Sequence, residues 1–429
     1  MRYLTIEPKL FIENRKRFVK QLKPNSVAIF NSNDEMPRKG DTFFPFCQNP
    51  DLFYLSGIDQ EETILVLYPD SKIDAYKEIL FVKKTNEHIA IWEGHKYTQQ
   101  EATISSGISS VYWLENFESI MKEIMSNVEN VYLNTNENVR YSSNVIYNDL
   151  RFAKSFKKKY PAHTYYRSAP IMASLRKIKS KLEIELITKA CDITDKAFRK
   201  ILPFIKPGVM EYEIEAEITA EFIRNRATGH AYTPIIASGK NACVLHYVKN
   251  NEKCNKGDLL LLDFGAEYAN YAADLSRTIP VNGKFSKRQK EVYNACLSVM
   301  KQAIKMLVVG ANIDDYHAAV CQIMEKELVD LKLFSINDLK KQDPNNKLFR
   351  KYFMHGTSHY LGLDVHDLGT KQEKLQEGML FSCEPGIYIL EEQIGIRIEN
   401  DILISNKGPI DLLKNVPIEI EEIEYLMNK

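Results

Sequence analysis

The sequence feature that most constrains the fold is a run of four leucines at positions 259–262 that ends in Asp263. Consecutive large apolar residues of this kind are typical of a buried strand. Residues 268–271 turn the chain, and a hairpin of this length would bring Asp263 beside Asp274 on the returning segment. Taken alone, each aspartate is more simply explained as a strand-terminal or solvated residue. Two carboxylates on adjacent buried strands, however, are costly unless a cation neutralises them, so the pair indicates a metal site.

A dense group of histidines is the second unusual feature, because His355, His359 and His366 fall within twelve residues of a chain that has nine histidines. The spacing of His355 and His359 would suit a zinc site on a helix. Gly356, however, stands where a zincin needs glutamate, and the glycines at 356 and 362 disfavour a continuous helix. We therefore expect an irregular segment with functional imidazoles. The alternative is a polar loop whose histidines are incidental.

Two later segments add further carboxylates. Glu384 precedes Pro385-Gly386, which is a turn signal, so it should lie where a strand enters a turn; alone it would be taken for a surface residue. In residues 394–402, isoleucines share one face of a predicted strand, and the other face carries Gly395, Arg397, Glu399 and Asp401. That polar face is either exposed to solvent or lines a charged cleft in which Arg397 neutralises acidic neighbours.

In chain order the candidate ligands are Asp263, Asp274, His359, Glu384 and Glu399. Four carboxylates carry a charge of about −4, which matches two divalent cations. An oxygen-rich set with one imidazole favours Mn²⁺, with Fe²⁺, Co²⁺ and Zn²⁺ as alternatives. Two such ions about 3.5–4 Å apart can share a bridging water and convert it to hydroxide near neutral pH.

The chain organisation indicates two domains. Strand-like runs at 26–30, 63–68 and 78–82 alternate with helical stretches, which is typical of an α/β domain. A basic, proline-punctuated stretch ends near residue 168, so we place the domains at 1–168 and 169–429. In the second domain, capping boxes at Ser180 and Ser286 mark the starts of two helices. Segments rich in strand-forming residues lie between the helices, which predicts an α+β fold.

Composition excludes several classes of protein. Lys plus Arg and Asp plus Glu both number 57, so the chain lacks the basic surface of a nucleic-acid binder. No apolar run approaches the roughly 20 residues that would span a membrane, and residues 1–9 lack the apolar core of a secretory signal. The seven cysteines are scattered, without a CxxC pair, which predicts a reducing, cytoplasmic location.

These motifs resemble the aminopeptidase P (Xaa-Pro aminopeptidase) family of pita-bread metallopeptidases over nearly the whole chain. The matching segments are Asp-Phe-Gly at 263–265, Asp-Leu-Ser-Arg-Thr at 274–278, residues 355–367, Glu-Pro-Gly-Ile-Tyr at 384–388 and Ile-Arg-Ile-Glu at 396–399. The resemblance implies an α+β fold: a carboxyl-terminal pita-bread (creatinase/aminopeptidase-like) catalytic domain with a smaller amino-terminal α/β domain. The pattern around 48–57 resembles that smaller domain.

The resemblance also implies roles for single residues. The family's five metal ligands fall on the five candidates above, and Glu384 would also shuttle the proton. The other functional residues fall on His246, His355, His366, Tyr388 and Arg397. Trp92 resembles the tryptophan that the small domain lends to a neighbouring subunit in homodimers or homotetramers of the family; a plain packing role is the equal alternative.

The implied activity is removal of the first residue from peptides with proline in second position, by attack of a metal-bridging hydroxide. Prolidase, which cleaves only Xaa-Pro dipeptides with the same ligands, is the nearest alternative. Methionine aminopeptidase is disfavoured because it lacks so large an amino-terminal domain. A serine hydrolase is disfavoured because no GxSxG motif is present, and the complete ligand set argues against a non-enzymatic binding module.

Overall fold

The computed structural model describes residues 2–370 and 372–429, which form two compact units, Tyr3–Arg176 and Lys177–Lys429. The division lies eight residues after the boundary expected at 168/169, because the helix Ala169–Arg176 packs with the first unit. Met172 and Leu175 of this helix are buried, and Arg176 donates a 2.9 Å hydrogen bond to the Asp51 carboxylate. Proline marks the start of that helix rather than a linker between domains.

The first unit is an α/β domain, as predicted. Its helices are α1 (Lys9–Val19), α2 (Pro50–Ser56), α3 (Glu87–Glu93), α4 (Gln99–Ser106), α5 (Phe117–Met125), α6 (Asn148–Lys159) and α7 (Ala169–Arg176). Its strands are β1 (Ser26–Asn31), β2 (Pro37–Lys39), β3 (Thr42–Phe43), β4 (Ile64–Leu67), β5 (Glu78–Val82), β6 (Ser110–Trp113), β7 (Asn130–Leu133) and β8 (Thr164–Arg167). Six strands form one mixed sheet in the order β6-β5-β4-β1-β7-β8, and β1, β4 and β5 coincide with the three predicted strands.

The second unit combines long helices with several small sheets. Its helices are α8 (Lys181–Ile201), α9 (Glu211–Arg224), α10 (Lys287–Met306), α11 (Ile313–Asp330), α12 (Ile336–Lys341) and α13 (Ile420–Met427). Its strands are β9 (Gly229–His230), β10 (Ile235–Ser238), β11 (Leu259–Asp263), β12 (Ala266–Tyr268), β13 (Tyr271–Ala272), β14 (Ser276–Pro280), β15 (Leu380–Cys383), β16 (Gly386–Ile389), β17 (Ile394–Arg397), β18 (Asn400–Leu403) and β19 (Ile410–Asp411). The two predicted capping boxes, at Ser180 and Ser286, begin α8 and α10.

The predicted hairpin carries the two aspartates. β11 pairs antiparallel with β14, so that Asp263 lies opposite Ser276, and all four leucines of β11 are buried. Ala269 and Asn270 both adopt positive φ values, 54° and 63°, as a two-residue hairpin turn requires. Gly265 is required by close approach, because a Cβ atom there would lie 1.7 Å from the Ala273 carbonyl oxygen.

The predicted strand 394–402 is in fact two strands. β17 pairs with β16, β18 pairs with β15, and Ile398 and Glu399 between them belong to neither ladder. The supposed polar face is also buried, since Arg397 is 4% and Glu399 2% exposed. The alternation of apolar and polar residues cannot distinguish one continuous strand from two strands in different sheets, because a break between them leaves the alternation unchanged.

No helix in the described ranges has both the length and the apolar character needed to cross a bilayer.

Candidate active site

The carboxylates of Asp263 and Asp274 both lie within hydrogen-bonding distance of the Tyr232 hydroxyl. The Tyr232 oxygen lies 2.6 Å from Asp263 Oδ1 and 2.5 Å from Asp274 Oδ1. The β11–β14 hairpin fixes both carboxylates, which are 9% and 5% exposed. A phenol has one proton, so it can donate to only one of the two carboxylates at a time. Burial raises the pKa of Asp274, and the neighbouring Asp263 charge adds to this effect.

His359 lies between Asp274 and Glu384. Its Nε2 atom is 3.4 Å from Asp274 Oδ2 and 3.6 Å from Glu384 Oε1, while its Nδ1 lies 2.9 Å from the Tyr360 carbonyl oxygen. A carbonyl can only accept, so Nδ1 carries the proton in a neutral ring and Nε2 offers its lone pair to the cluster. Burial lowers the pKa of His359, but the hydrogen bond to Asp274 and the Glu384 charge outweigh it and raise the pKa to about 9.

Glu384 begins the turn between β15 and β16, as predicted from Pro385-Gly386. Its backbone N–H donates to the Thr357 carbonyl at 2.9 Å, which ties it to the histidine-rich segment. That segment is irregular, as predicted, and holds His355 Nδ1 3.8 Å from Glu384 Oε2. Burial raises the pKa of Glu384 to about 7.

Glu399 reaches the cluster from the break between β17 and β18. The Ser276 hydroxyl donates to Glu399 Oε2 at 2.7 Å, and the Glu399 N–H donates to the Ser276 carbonyl at 3.0 Å. Burial raises the pKa of Glu399 well above its ordinary value, and the charges of Asp274 and Glu384 raise it further.

Arg397 links the acidic cluster to His355. Its guanidinium forms an ion pair with Asp263, donates to the Ser276 hydroxyl at 2.9 Å and donates to the Tyr388 hydroxyl at 3.0 Å. The Tyr388 oxygen lies 2.9 Å from His355 Nε2, and His355 Nδ1 lies 2.8 Å from the Gly356 carbonyl. Burial and the nearby Arg397 charge lower the pKa of His355 to about 4, so the ring is neutral at physiological pH.

The cluster has the chemistry of a divalent metal site. Asp274, His359 and Glu399 each offer one ligand atom, and these atoms lie within 4.8 Å of one another. Asp263 joins them through Tyr232, and Glu384 lies beside His359. Four carboxylates face two cationic groups, the Arg397 guanidinium and the His359 ring with its raised pKa, and burial raises the pKa of three of these carboxylates, so a bound divalent cation would stabilise the charged form of the cluster. The donor set therefore fits a divalent metal ion.

The remaining predicted residues lie at different distances from this cluster. The His366 ring is edge-on to His359, with ring centroids 4.3 Å apart. His246 is solvent-exposed on the loop that follows β10. Trp92 lies on α3 in the first unit and is 81% exposed. The structure brings His355, Tyr388 and Arg397 together, whereas the side chains of His246 and Trp92 are exposed and form no hydrogen bond, ion pair or ring contact with the described residues.

Several supporting residues escaped the sequence reasoning. Arg277, fully buried, donates to the carbonyl oxygens of Ser276 and Glu399 at 2.9 and 2.7 Å, which holds the β17–β18 break against β14. Asp401 accepts a 3.0 Å hydrogen bond from the backbone N–H of Asp274. Ser276 and Arg277 lie inside the motif at 274–278, from which only Asp274 was predicted as a site residue. No sequence motif marks Tyr232.

Two family models match this chain. The family described as metallopeptidase family M24 matches residues 185–406, and the family described as the N-terminal domain of aminopeptidase P matches residues 11–132. The first span contains the whole acidic cluster. Fold and site together therefore define a metallopeptidase, a class of hydrolases that uses divalent metal ions.

Individual relatives narrow the class. The chain is 35% identical to an Xaa-Pro aminopeptidase of Haemophilus influenzae and 33% identical to one of Escherichia coli, with 97% of both chains covered in each case. The structure of aminopeptidase P from E. coli with the inhibitor Pro-Leu aligns with a TM-score of 0.89 at 32% identity, covering 99% of both chains. The chain belongs to the Xaa-Pro aminopeptidase family of M24 metallopeptidases.

Family membership settles the main sequence predictions. The α+β fold class, with a carboxyl-terminal pita-bread domain and a smaller amino-terminal domain, is confirmed. The enzyme is a hydrolase with Xaa-Pro aminopeptidase relatives, and this assignment is favoured over prolidase.

Proposed function

We propose that Asp263, Asp274, His359, Glu384 and Glu399 hold two divalent metal ions. The observation that carries this proposal is the convergence of three buried carboxylates and the half-buried Glu384 on one imidazole, with the buried Arg397 guanidinium among them. Mn²⁺ is favoured for an oxygen-rich set, with Zn²⁺, Co²⁺ and Fe²⁺ as alternatives; a zinc-substituted form of E. coli aminopeptidase P is known. When bound, such ions polarise a carbonyl and lower the pKa of water.

Glu384 is suited to move the proton during hydrolysis. Its carboxylate lies between two imidazoles, 3.6 Å from His359 and 3.8 Å from His355. From this position it accepts a proton from the attacking water and passes it to the departing proline nitrogen. The Thr357 carbonyl fixes the backbone from which this carboxylate projects.

His355 is assigned to the substrate carbonyl. The Gly356 carbonyl and the Tyr388 hydroxyl orient its ring, and burial beside Arg397 keeps it neutral. Arg397 and Tyr388 complete a hydrogen-bond chain from Asp263 to His355, which prevents the ring from turning freely. The Nδ1–H of His355, which donates to the Gly356 carbonyl in the free enzyme, would donate to the substrate oxygen instead, and a donor positioned in this way stabilises the developing charge of a tetrahedral intermediate. His246 and His366 are assigned to substrate binding, His366 near the proline carbonyl or leaving group and His246 near the scissile carbonyl.

The substrate is a peptide with a free amino terminus and proline in second position. The amide before proline lacks an N–H, so a peptidase that binds that N–H loses a contact and a dedicated site is required. The E. coli relative is known with Pro-Leu, a dipeptide that begins with proline, as inhibitor. This supports a site that accepts proline on the leaving side with residues beyond it.

A substrate series tests this assignment. Product analysis should show cleavage after the first residue of Gly-Pro tripeptides and longer peptides. Replacing proline by alanine should lower kcat/KM at least about 10²-fold, and acetylation of the amine should stop cleavage. Hydrolysis of dipeptides only would make the enzyme a prolidase with the same metal site, and cleavage of internal bonds would refute an exopeptidase.

A metal series tests the ligands separately. Chelation should abolish activity and added Mn²⁺ should restore it, whereas Asp274→Ala should stay inactive and Asp263→Asn should lose metal and rate together. His246→Ala and His366→Ala should keep two metal equivalents by elemental analysis while turnover falls about 10²-fold. Metal loss in either histidine variant would show that the ligand set is misassigned.

Trp92 provides a candidate intersubunit contact. It and Ile91 are 81% and 77% exposed on α3, and adjacent exposed apolar side chains of this size mark interaction sites. We propose a homodimer or homotetramer in which Trp92 reaches a neighbouring active site, in the cytoplasm and without nucleic-acid or membrane partners. Light scattering should give the oligomer, and Trp92→Ala should raise KM; a monomer with unchanged KM for Trp92→Ala would contradict it.

A further inference from the structure

The loop that carries His246 has a regular inside–outside alternation. Val244, His246 and Val248 are exposed, whereas Leu245 is half-buried and Tyr247 is 8% exposed. Leu245 and Tyr247 pack in an apolar cluster that also contains Tyr388, the residue that orients His355. The buried residues therefore fix which side of the loop His246 occupies.

The anchor of this loop is a buried carboxylate on α9. Glu211 is 0% exposed, yet each of its oxygens accepts two hydrogen bonds. Oε1 accepts from the Ser238 N–H at 2.8 Å and from the Ser238 hydroxyl at 2.7 Å. Oε2 accepts from the Tyr247 hydroxyl at 2.8 Å and from the Glu252 N–H at 3.0 Å. A buried charge held by this many donors fixes its partners rigidly, because hydrogen bonds to a carboxylate are strong.

Glu211 thus joins the strand before the loop to the loop itself and to the chain after it. Ser238 ends β10, Tyr247 follows His246, and Glu252 also accepts a 3.0 Å backbone hydrogen bond from the Glu211 N–H. A second clamp lies nearby, since the Asn250 side chain donates to Glu215 of the same helix at 2.9 Å and accepts from the Ile236 N–H at 3.0 Å. Helix α9 therefore holds the loop at two points.

We propose that Glu211 and Tyr247 are positioning residues for His246. This inference rests on the substrate-binding role proposed for His246. It adds an explanation of how this exposed side chain is held in a fixed position on its loop. Glu211 accepts a hydrogen bond from the Tyr247 hydroxyl, and the packed Tyr247 ring fixes the backbone on the carboxyl side of His246. The packed Leu245 side chain fixes the backbone on the amino side. Neither Glu211 nor Tyr247 needs to touch substrate.

Tyr247→Phe is the appropriate perturbation. It removes one of four donors to Glu211 and leaves the ring in the apolar cluster, so the protein should fold. Turnover on a Gly-Pro tripeptide should fall about tenfold, because even small misplacement of a binding group costs rate. Tyr293→Phe is the matched control: Tyr293 is buried like Tyr247, and its hydroxyl donates to the Ile418 carbonyl at 2.7 Å. It should lose similar stability in urea and keep its turnover.

A double-mutant cycle with His246→Ala decides between positioning and general stability. In the His246→Ala background, Tyr247→Phe should change kcat less than about twofold, because the two residues act through one group. An equal factor in both backgrounds, or no effect of Tyr247→Phe alone, would overturn the positioning inference while leaving the role of His246 intact. No effect of His246→Ala would overturn both. Metal content should stay constant in all four proteins.

Discussion

The raised pKa of Glu384 makes a quantitative prediction for the metal-free enzyme. In the chelated protein, replacing Glu384 by glutamine should change stability by an amount that depends on pH. Near pH 4.5 the buried carboxyl is protonated and neutral, so glutamine is a close substitute. Near pH 8 the carboxylate is charged without a cation beside it, so glutamine should stabilise the fold.

The magnitude follows from the shift itself. Burial raises the pKa of Glu384 from 4.5 to about 7. A carboxyl with a higher pKa in the folded state binds its proton more tightly there, so its contribution to stability is full below pH 4.5 and is lost as the pH rises to about 7. A shift of this size corresponds to about 3 kcal/mol. The free energy of unfolding of Glu384→Gln, relative to wild type, should therefore rise by about 3 kcal/mol between pH 4.5 and 8.

The assay is urea unfolding with excess chelator at several pH values. Far-UV circular dichroism is the suitable signal, because both tryptophans, Trp92 and Trp113, lie in the first unit and would not report on the catalytic unit. Glu391→Gln is the control: its hydrogen bond to Lys351 lowers the pKa of this exposed carboxyl, so its stability contribution is lost only below about pH 4.5 and the difference from wild type should be nearly flat between pH 4.5 and 8. Mn²⁺ should stabilise wild type more at pH 8 than at pH 5, because ligands must be deprotonated.

A flat difference between Glu384→Gln and wild type across this pH range would refute the reasoning. So would a difference that falls as the pH rises, because it would mean that Glu384 is stabilised as an anion without metal. In that case Arg397 and His359 would already neutralise the carboxylates, and the charge argument for two cations would fail.

Three further predictions concern packing and hydrogen bonding. Gly395→Ala should lower the free energy of unfolding by about 1–3 kcal/mol, because the new Cβ would lie 2.1 Å from the Ala242 carbonyl oxygen; an unchanged urea midpoint would contradict this. Asp149→Asn should destabilise the first unit by about 1–3 kcal/mol near pH 5, because one oxygen of a carboxyl that faces three asparagine donors becomes an amide nitrogen. The loss should be smaller at pH 8, because burial raises the pKa of Asp149 to about 7, and tryptophan fluorescence should show the shift while the catalytic unit unfolds as before. Arg397→Lys should retain a charge beside Asp263 but lose the forked donors, so kcat/KM should fall about 10²-fold with metal content unchanged; wild-type kinetics would show that the hydrogen-bond chain to His355 is dispensable.

The sequence by itself determined the elements that deliver the site. Four leucines predicted a buried strand because such a run leaves neither face of the strand polar, and the turn after it predicted that Asp263 and Asp274 meet. Pro385-Gly386 predicted the turn at Glu384, and the glycines around His355 excluded a helix. Each of these signals is local: side-chain size, turn chemistry and helix propensity act over a few residues. The family and its chemistry followed from the order of the motifs.

Tertiary structure alone decided how the carboxylates are held. Tyr232 reaches Asp263 and Asp274 from 31 and 42 residues away, and Arg277 reaches the Glu399 carbonyl across 122 residues. Such partners leave no periodic trace, because any strand or loop can present a hydroxyl or guanidinium at the required point. The break at Ile398–Glu399 was hidden for the same reason: an alternating pattern records which side chains share a face, but not which strand each segment pairs with.

The domain boundary was decided by packing as well. A proline-punctuated stretch is a reasonable sign of a linker, yet here Pro170 begins a helix whose Met172 and Leu175 are buried within the first unit. Packing also decided the position of Glu211, which is buried against the loop that carries His246. A buried carboxylate needs hydrogen-bond donors, and the four that hold Glu211 come together only once α9, β10 and the loop have packed against one another.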